Sequence, residues 1–505
     1  MGVSIQYFIR TAQLKIFERY NVKKAICVLL TVCTAATVVS FSACAKDRDG
    51  ALSSYDIYAS YDSNAAVLDG TVKFSYYNDT ENEITDLKFN LYGNAFRENS
   101  TFKPVSDAFK TRAYYAGTSY GSMSVSNVEN CAGWNVGGED ENILTVNLLT
   151  PVYPEERVEI TITYSLTPAK INHRTGITAR CVNLGNFYPI LCAYSKDGFV
   201  ECPYYYCGDP FLSECANYNV VLDLPPEYAA ATSGKLISET VAGDRKKCSY
   251  TLKNARDFAV VLSDQFNVIS QNVNGVEVSY YYTTDKNSQV NLSAAAESLK
   301  YFEKTFGEYA YPTLSVVSTG FCYGGMEYPA LEMISDSQDS ANTVYSIVHE
   351  TAHQWWYAMV GSDQLTNAWQ DEGLAEYSTL MFFEKNPTYG FTRTGIINSA
   401  KNAYRAYFTV YSQLNGTVNT AMRRNLSEYA GEVEYNNITY NKGLLLFDTL
   451  RNSIGDARFV NSLKNYFKHN KFKIASAEEI YGNFITSGVD VEGFFDSFVE
   501  GKIII

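Results

Sequence analysis

Two histidines four residues apart, with a glutamate beside the first, are the residues of this chain best spaced for chemistry: His349-Glu350-Thr351-Ala352-His353. On a helix such a pair shares one face, so both imidazoles can bind a single metal ion. The glutamate between them sits beside that metal, placed to take a proton from a metal-bound water. The chain has only 4 histidines, and two of them fall in this pattern. Val344, Ile347, Val348, Ala352, Trp355, Trp356 and Met359 recur at helical spacing around it. Asp339 and Ser340 are cap candidates and Gly361 a stop. That context outweighs the plain alternative of two core histidines satisfied by hydrogen bonds.

A zinc hydrolase usually needs a third protein ligand and an open position for water. Glu372 lies 19 positions beyond His353 (372 − 353), far enough for a second helix to turn back on the first. HETAHQWW followed by WQDEGLAEY resembles the zinc signature of the aminopeptidase N family, the gluzincin aminopeptidases. Gly324-Gly325-Met326-Glu327-Tyr328 resembles the family's exopeptidase motif, with Tyr328 where Asn is usual. Thr439-Tyr440-Asn441-Lys442-Gly443 resembles the segment with its catalytic tyrosine, and Gly208 to Glu214 and Ala255 to Ala259 resemble parts of its amino-terminal β domain. The matches are collinear from about Asp69 to near the end.

The resemblance implies one Zn2+ per chain on His349, His353 and Glu372, with Glu350 as general base. It implies Tyr440 as the phenol that donates to the oxyanion, Tyr435 being the second choice. Gly324, Gly325, Met326 and Glu327 would bind substrate, the Glu327 carboxylate pairing with a free α-ammonium and the glycines letting backbone approach an extended peptide. Glu376, one turn after Glu372, is a candidate to hold the free ring N–H of a ligand histidine. The expected activity is removal of amino-terminal residues from peptides with a free N-terminus. A thermolysin-type zinc endopeptidase is the alternative, which Glu327 speaks against. A non-catalytic surface lipoprotein on the same fold is another, against which stand all four of His349, Glu350, His353 and Glu372.

Composition bounds the rest. With 505 residues, 46% hydrophobic and 19% charged, the chain has length for two or three domains with ample cores. A formal net charge of −14, with no basic patch, argues against nucleic acid. The 41 tyrosines fit Tyr-rich strands and turns better than a sugar-stacking surface. Lys23-Lys24, an uncharged apolar run from Ala25 to Phe41, and Phe41-Ser42-Ala43-Cys44 resemble a bacterial lipoprotein signal, residues 1–43, with Cys44 the lipid-bearing first residue. The expected location is the outer face of the cell membrane, by that lipid, with a single N-terminal anchor or secretion as alternatives. Eight cysteines remain beyond Cys44, an even set that permits disulfides in an exported protein. A second metal site at Cys202 and Cys207 lacks a matching second pair. Oligomeric state is not legible.

Short alternating runs, such as Thr71 to Tyr76, Leu87 to Tyr92 and Val158 to Tyr164, make residues 44–270 an amino-terminal antiparallel β saddle or sandwich. The Gly-, Ser- and Tyr-rich stretch from Arg97 to Asn142 reads as one long loop. The character changes near Gln271–Gly275, so residues 271–505 form a second domain, thermolysin-like and α/β. Helical patterns there cover Ser293–Phe306, Thr394–Gln413, Lys442–Ile454, Arg458–Phe467 and Glu478–Ser487. The whole is an α+β multidomain protein. Longer members of the family carry a further helical domain over the active site, so a more open cleft is expected here.

Overall fold

Strand periodicity dictates the amino-terminal half. In a computed structural model describing residues 51–485 and 490–504, Ser54–Asp62 buries Tyr55, Ile57, Ala59 and Tyr61, and Val67–Tyr77 buries Leu68, Val72, Phe74 and Tyr76. Every second side chain thus faces a core, as the pleat requires. These strands sit in a seven-stranded sheet of order Lys235–Ala242, Arg245–Ala255, Ala216–Leu224, Ser54–Asp62, Val67–Tyr77, Arg157–Thr167 and Ser122–Glu129. Its pairings are antiparallel except that of Ser54–Asp62 with Ala216–Leu224. Two four-stranded sheets and the two-stranded pair Tyr194–Ser195 with Gly198–Phe199 complete this half. Tyrosine serves largely as its mortar: Tyr55 stacks on Tyr218 with centroids 4.9 Å apart and meets Tyr188 edge-on.

The stretch expected to be a single loop, 97–142, is not one. It contains the strands Ser122–Glu129 and Cys131–Gly137, whose glycines, serines and asparagines mask the alternation of Met123, Val125 and Val128. The boundary expected at residues 270 and 271 falls within the strand Asn267–Val273. Asn267–Val273 pairs with Val276–Tyr282, so the Asn274-Gly275 turn is a hairpin inside the second domain's sheet, which begins near residue 267. Both turn residues have positive φ, 53° and 97°; Asn-Gly supports such a tight hairpin, and in sequence that signal resembles a linker.

That sheet runs Asn267–Val273, Val276–Tyr282, Thr313–Thr319, Leu331–Ser335 and Gly325–Met326. Gly325–Met326 is its edge, antiparallel to Leu331–Ser335. Helices α1 (Ser288–Thr305), α2 (Ser340–His353), α3 (Trp369–Lys385), α4 (Arg393–Asn415), α5 (Lys442–Ile454) and α6 (Asp456–Asn470) build the rest. Asp339 caps α2, accepting from the Asn342 N–H. The helix ends at His353, earlier than Gly361. Beyond it the N–H groups of Ala358, Met359 and Val360 donate to the carbonyls of His353, Gln354 and Trp355, and Gly361 pairs with Ile474. Trp355, Trp356 and Met359 are nevertheless buried, so their spacing reports burial and not helix. The last helix expected at Glu478–Ser487 is observed at Ala477–Phe484, under a Ser476–Glu479 capping box.

Cys44 and the leader lie outside the described residues. Among those described, no helix is long and apolar enough to cross a membrane. Cys131, Cys181, Cys192, Cys202, Cys207, Cys248 and Cys322 are free thiols, and Cys202 and Cys207 join no metal-binding cluster there.

Candidate active site

Helix α2 aims His349 and His353 at α3, and α3 returns Glu372. The three donor atoms converge: the His349 and His353 Nε2 atoms are 3.0 Å apart and lie 3.3 and 3.2 Å from Glu372 Oε2. All three residues are buried, with Glu372 only 3% exposed. Burial alone would raise the Glu372 carboxyl, but His353 and His349 overcome it and hold the pKa down to about 2. Burial would likewise lower His353, and Glu327 and Glu372 outweigh it. Two imidazole nitrogens and one ionised carboxylate oxygen, turned toward one point in a buried pocket, form a donor set that fits a divalent cation of borderline softness.

The surrounding groups hold these ligands in place. The other ring nitrogen of His353, Nδ1, lies 3.0 Å from the Trp356 carbonyl, so the turn after α2 fixes that ring. His349 Nδ1 has Glu376 Oε1 at 3.7 Å, an ion-pair separation beyond hydrogen-bond length, while the Tyr345 hydroxyl donates to Glu376 Oε2 at 2.5 Å. Gly373 and Gly443 let α3 and α5 touch: a Cβ on Gly443 would stand 2.8 Å from Gly373 Cα. A π-helical segment, Asn436–Asn441, leads into α5 and sets Tyr440 against the ligands. The Tyr440 hydroxyl donates to Glu372 Oε1, and its ring stacks on His349 at 5.8 Å. Burial, then Glu372, keeps that phenol well above its ordinary pKa and therefore protonated. Tyr435 is buried against the Tyr440 ring.

Glu350 faces the edge strand. A Cβ on Gly325 would fall 2.2 Å from Glu350 Oε1, so glycine there is the condition for the carboxylate's position. Burial, and then Glu327, raises the Glu350 pKa well above that of a free carboxyl. Gly324 lines the same cleft, and Met326 is buried beneath it. Glu327 is 4% exposed, its Oε1 has no hydrogen-bond partner, and burial followed by Asp209 pushes its pKa up to about 8. Glu327 and Asp371 form a second close set with His353. Asp371 is already occupied, accepting from Gln364 and from the Glu372 N–H. Tyr328 points away from the cleft: fully buried, it donates to Asn186 Oδ1 at 2.6 Å.

The cleft, about 350 Å³, also takes walls that no local pattern revealed. Phe109 and Arg112 come from the stretch expected to be loop, and Arg174 pairs with Asp209 beneath Phe211. Glu332, with both oxygens unpartnered, lies buried in the strand Leu331–Ser335. Phe109, Arg112, Arg174 and Asp209 come from segments remote in sequence from the metal helices, so only the fold brings them there.

A β-rich half packs on a mixed sheet whose helices present a two-histidine, one-glutamate cluster over an edge strand. Residues 290–498 match the peptidase family M1 domain. The resemblance to the aminopeptidase N family read from the motifs therefore stands. The chain is 24% identical over 287 residues to Aminopeptidase M1-B of Oryza sativa subsp. japonica, covering 53% of this chain and 32% of that protein. It is 24% identical over 251 residues to Endoplasmic reticulum aminopeptidase 2 of Homo sapiens, covering 45% and 25%. The chain thus spans about a third or less of the length of these curated relatives. The M1 zinc metallopeptidase of Deinococcus radiodurans superposes with a TM-score of 0.64 at 18% identity, over 90% of this chain and 95% of that one. This likeness is one of fold.

Proposed function

We propose that the chain is a zinc-dependent aminopeptidase, removing residues from the free amino terminus of peptides. The observation that carries this is the convergence of His349, His353 and Glu372 beside the buried carboxylate of Glu350. His349, His353 and Glu372 would hold Zn2+, which would supply Lewis acidity toward a water and the scissile carbonyl. Glu350 takes the proton from the attacking water and delivers it to the departing amine. Tyr440, kept protonated, donates to the oxygen that gains negative charge. The edge strand Gly325–Met326 offers backbone to an extended peptide. The unpartnered Glu327 oxygen supports an exopeptidase over the endopeptidase reading, since a buried carboxylate at that end pairs with an α-ammonium and fixes the register of the cut.

Two measurements test this. Metal-loaded protein should hydrolyse amino-acid amides and free peptides but not their N-acetylated forms. Glu350→Gln should keep near-stoichiometric zinc and lose most turnover. Internal cleavage of acetylated peptides at equal rates would transfer the chain to the endopeptidase class. For location, the leader and Cys44 support a lipid-anchored protein on the outer face of a bacterial membrane. A mature chain that begins at Cys44, and partitions into detergent unless Cys44→Ala is made, is the expected result.

A further inference from the structure

We infer that Asn186 and Asp257 of the β half are positioning residues for Glu327, acting through the hydroxyl of Tyr328 to hold the carboxylate where a substrate's α-ammonium binds. This rests on the aminopeptidase reading and gives a purpose to the tyrosine that stands where the family motif has asparagine.

Glu327 lies just past the end of the edge strand Gly325–Met326, so the ladder no longer fixes its backbone, and its Oε1 has no partner of its own. The residues that follow it are held on two sides. Pro329 favours extended backbone at Tyr328. Tyr328 to Leu331 then form a turn, the Leu331 N–H donating to the Tyr328 carbonyl at 3.0 Å with Ala330 at a φ of 57°. Gln354, the residue after the ligand His353, clamps that turn from the metal side. Its Nε2 donates to the Tyr328 carbonyl at 3.1 Å, and its Oε1 accepts from the Ala330 N–H at 2.8 Å. In extended backbone neighbouring side chains point to opposite sides. A Tyr328 ring fixed in the β half therefore leaves Glu327 facing His353, whose donor nitrogen lies within 4.8 Å of the carboxylate.

The ring is fixed by a relay that the β half supplies. Strands Val182–Leu184 and Val260–Ser263 are antiparallel neighbours with Leu184 opposite Val260, so the chain just after the first meets the chain just before the second. Asn186 and Asp257 occupy those places, both buried. The Tyr328 hydroxyl donates to Asn186 Oδ1 at 2.6 Å, and Asn186 Nδ2 donates to Asp257 Oδ2 at 2.7 Å. Asp257 Oδ1 already accepts from the Tyr188 hydroxyl at 2.8 Å and the Phe258 N–H at 2.7 Å. The carboxylate thus meets Asn186 as an acceptor, which orients the amide and turns its oxygen to the phenol. Asn186 has a φ of 53°, a conformation asparagine tolerates. Gly185 makes room for the phenol, since a Cβ there would fall 2.0 Å from the Tyr328 hydroxyl oxygen. Buried groups paired in series do not move singly without leaving a partner unsatisfied.

The test uses zinc-loaded full-length protein and two inhibitors that differ only by an amino group, leucine hydroxamate and 4-methylpentanohydroxamate. Both bind the metal, and only the first offers an ammonium to Glu327, so the ratio of their inhibition constants reads that contact. Wild type should bind leucine hydroxamate at least about tenfold more tightly. Tyr328→Phe removes one oxygen and keeps the ring. It should bring the ratio to within about threefold while leaving zinc content and the affinity for 4-methylpentanohydroxamate unchanged. Gly185→Ala, which keeps Tyr328 but crowds its hydroxyl, should act in the same direction. In a Glu327→Ala background Tyr328→Phe should have no further effect on the ratio, because the contact it positions is gone. A zinc-loaded Tyr328→Phe protein with the wild-type ratio, or one in which both inhibitors weaken equally, would overturn the positioning role and leave the aminopeptidase reading standing. Equal binding of the two inhibitors by wild type would overturn that reading, and this inference with it.

Discussion

Gly325 shows how a residue without a side chain sets the chemistry of one that has it. The edge strand passes so close to α2 that any Cβ at 325 would occupy the place of the Glu350 carboxylate. The obstructed atom is the end of a flexible side chain, not backbone, so Gly325→Ala should leave the fold intact and turn Glu350 aside. Misplacing a general base by about an ångström costs on the order of 100-fold in rate. The expected outcome is a fall in kcat/KM of about that size with zinc content and Tm unchanged, and full activity in the variant would remove Gly325 from the account. The metal-binding cluster was legible because metal chemistry restricts both residue type and spacing: His349 and His353, with Glu350 beside them, stand out within five positions. Glu372 and Tyr440 needed the family resemblance, since spacing alone could not pick one tyrosine among 41. Asp209 lay in a stretch that resembled the family without a role attached, and Arg174 and Tyr345 carried no local signal, because their roles arise from contacts made across long stretches of chain.

At the level of elements, periodicity located the helices better than their ends. Helix α5 occurs at the expected positions, Lys442–Ile454, while α2 stops at His353 although buried apolar residues continue to Met359. Burial and helicity coincide only while the backbone stays regular. The sheet-edge strands between 97 and 142 escaped notice because edge strands facing solvent need few apolar residues. Lys442 ties α5 to the segments that flank it, donating to the carbonyls of Thr420 at 2.6 Å and Phe498 at 2.7 Å. Burial, reinforced by Arg424, lowers its pKa from 10.5 to about 7. Between those values the unfolded chain binds more protons than the folded one, so this lysine makes stability rise with pH. The cost of burying the charged form is fully present below about pH 7 and is relieved as pH climbs through that value toward the unfolded pKa. Comparison of urea midpoints for wild type and Lys442→Met from about pH 6 to 9 should show the wild type gaining on the variant as pH rises. A constant difference would mean that Lys442 stays charged when folded.

For the whole molecule, the joint between the β half and the metal-binding half depends on Arg256. Its side chain is fully buried, yet it has three backbone acceptors: Ser213 at 2.9 Å on the β side, Tyr357 at 2.9 Å just past the zinc-motif helix, and Lys473 after α6. Gly361 makes room for the guanidinium, since a Cβ there would fall 2.3 Å from its Cζ. One planar group thereby connects three segments that no local sequence signal relates, and this explains why the resemblance around Ala255–Ala259 lies so far from the metal ligands. A methionine fills similar volume but offers no donor, leaving the Ser213 and Tyr357 carbonyls unpaired at about 1–3 kcal/mol each before relaxation, while the Lys473 carbonyl keeps the Gly361 N–H. Arg256→Met should therefore cost at least about 2 kcal/mol of stability, well above the effect of an ordinary surface change. Because Tyr357 immediately follows the Trp356 carbonyl that orients His353, loosening this joint should also weaken metal binding while leaving every ligand in the sequence. Calorimetry with zinc titration reads both effects together. A stable variant with wild-type zinc affinity would show that the two halves are joined by their apolar contact alone.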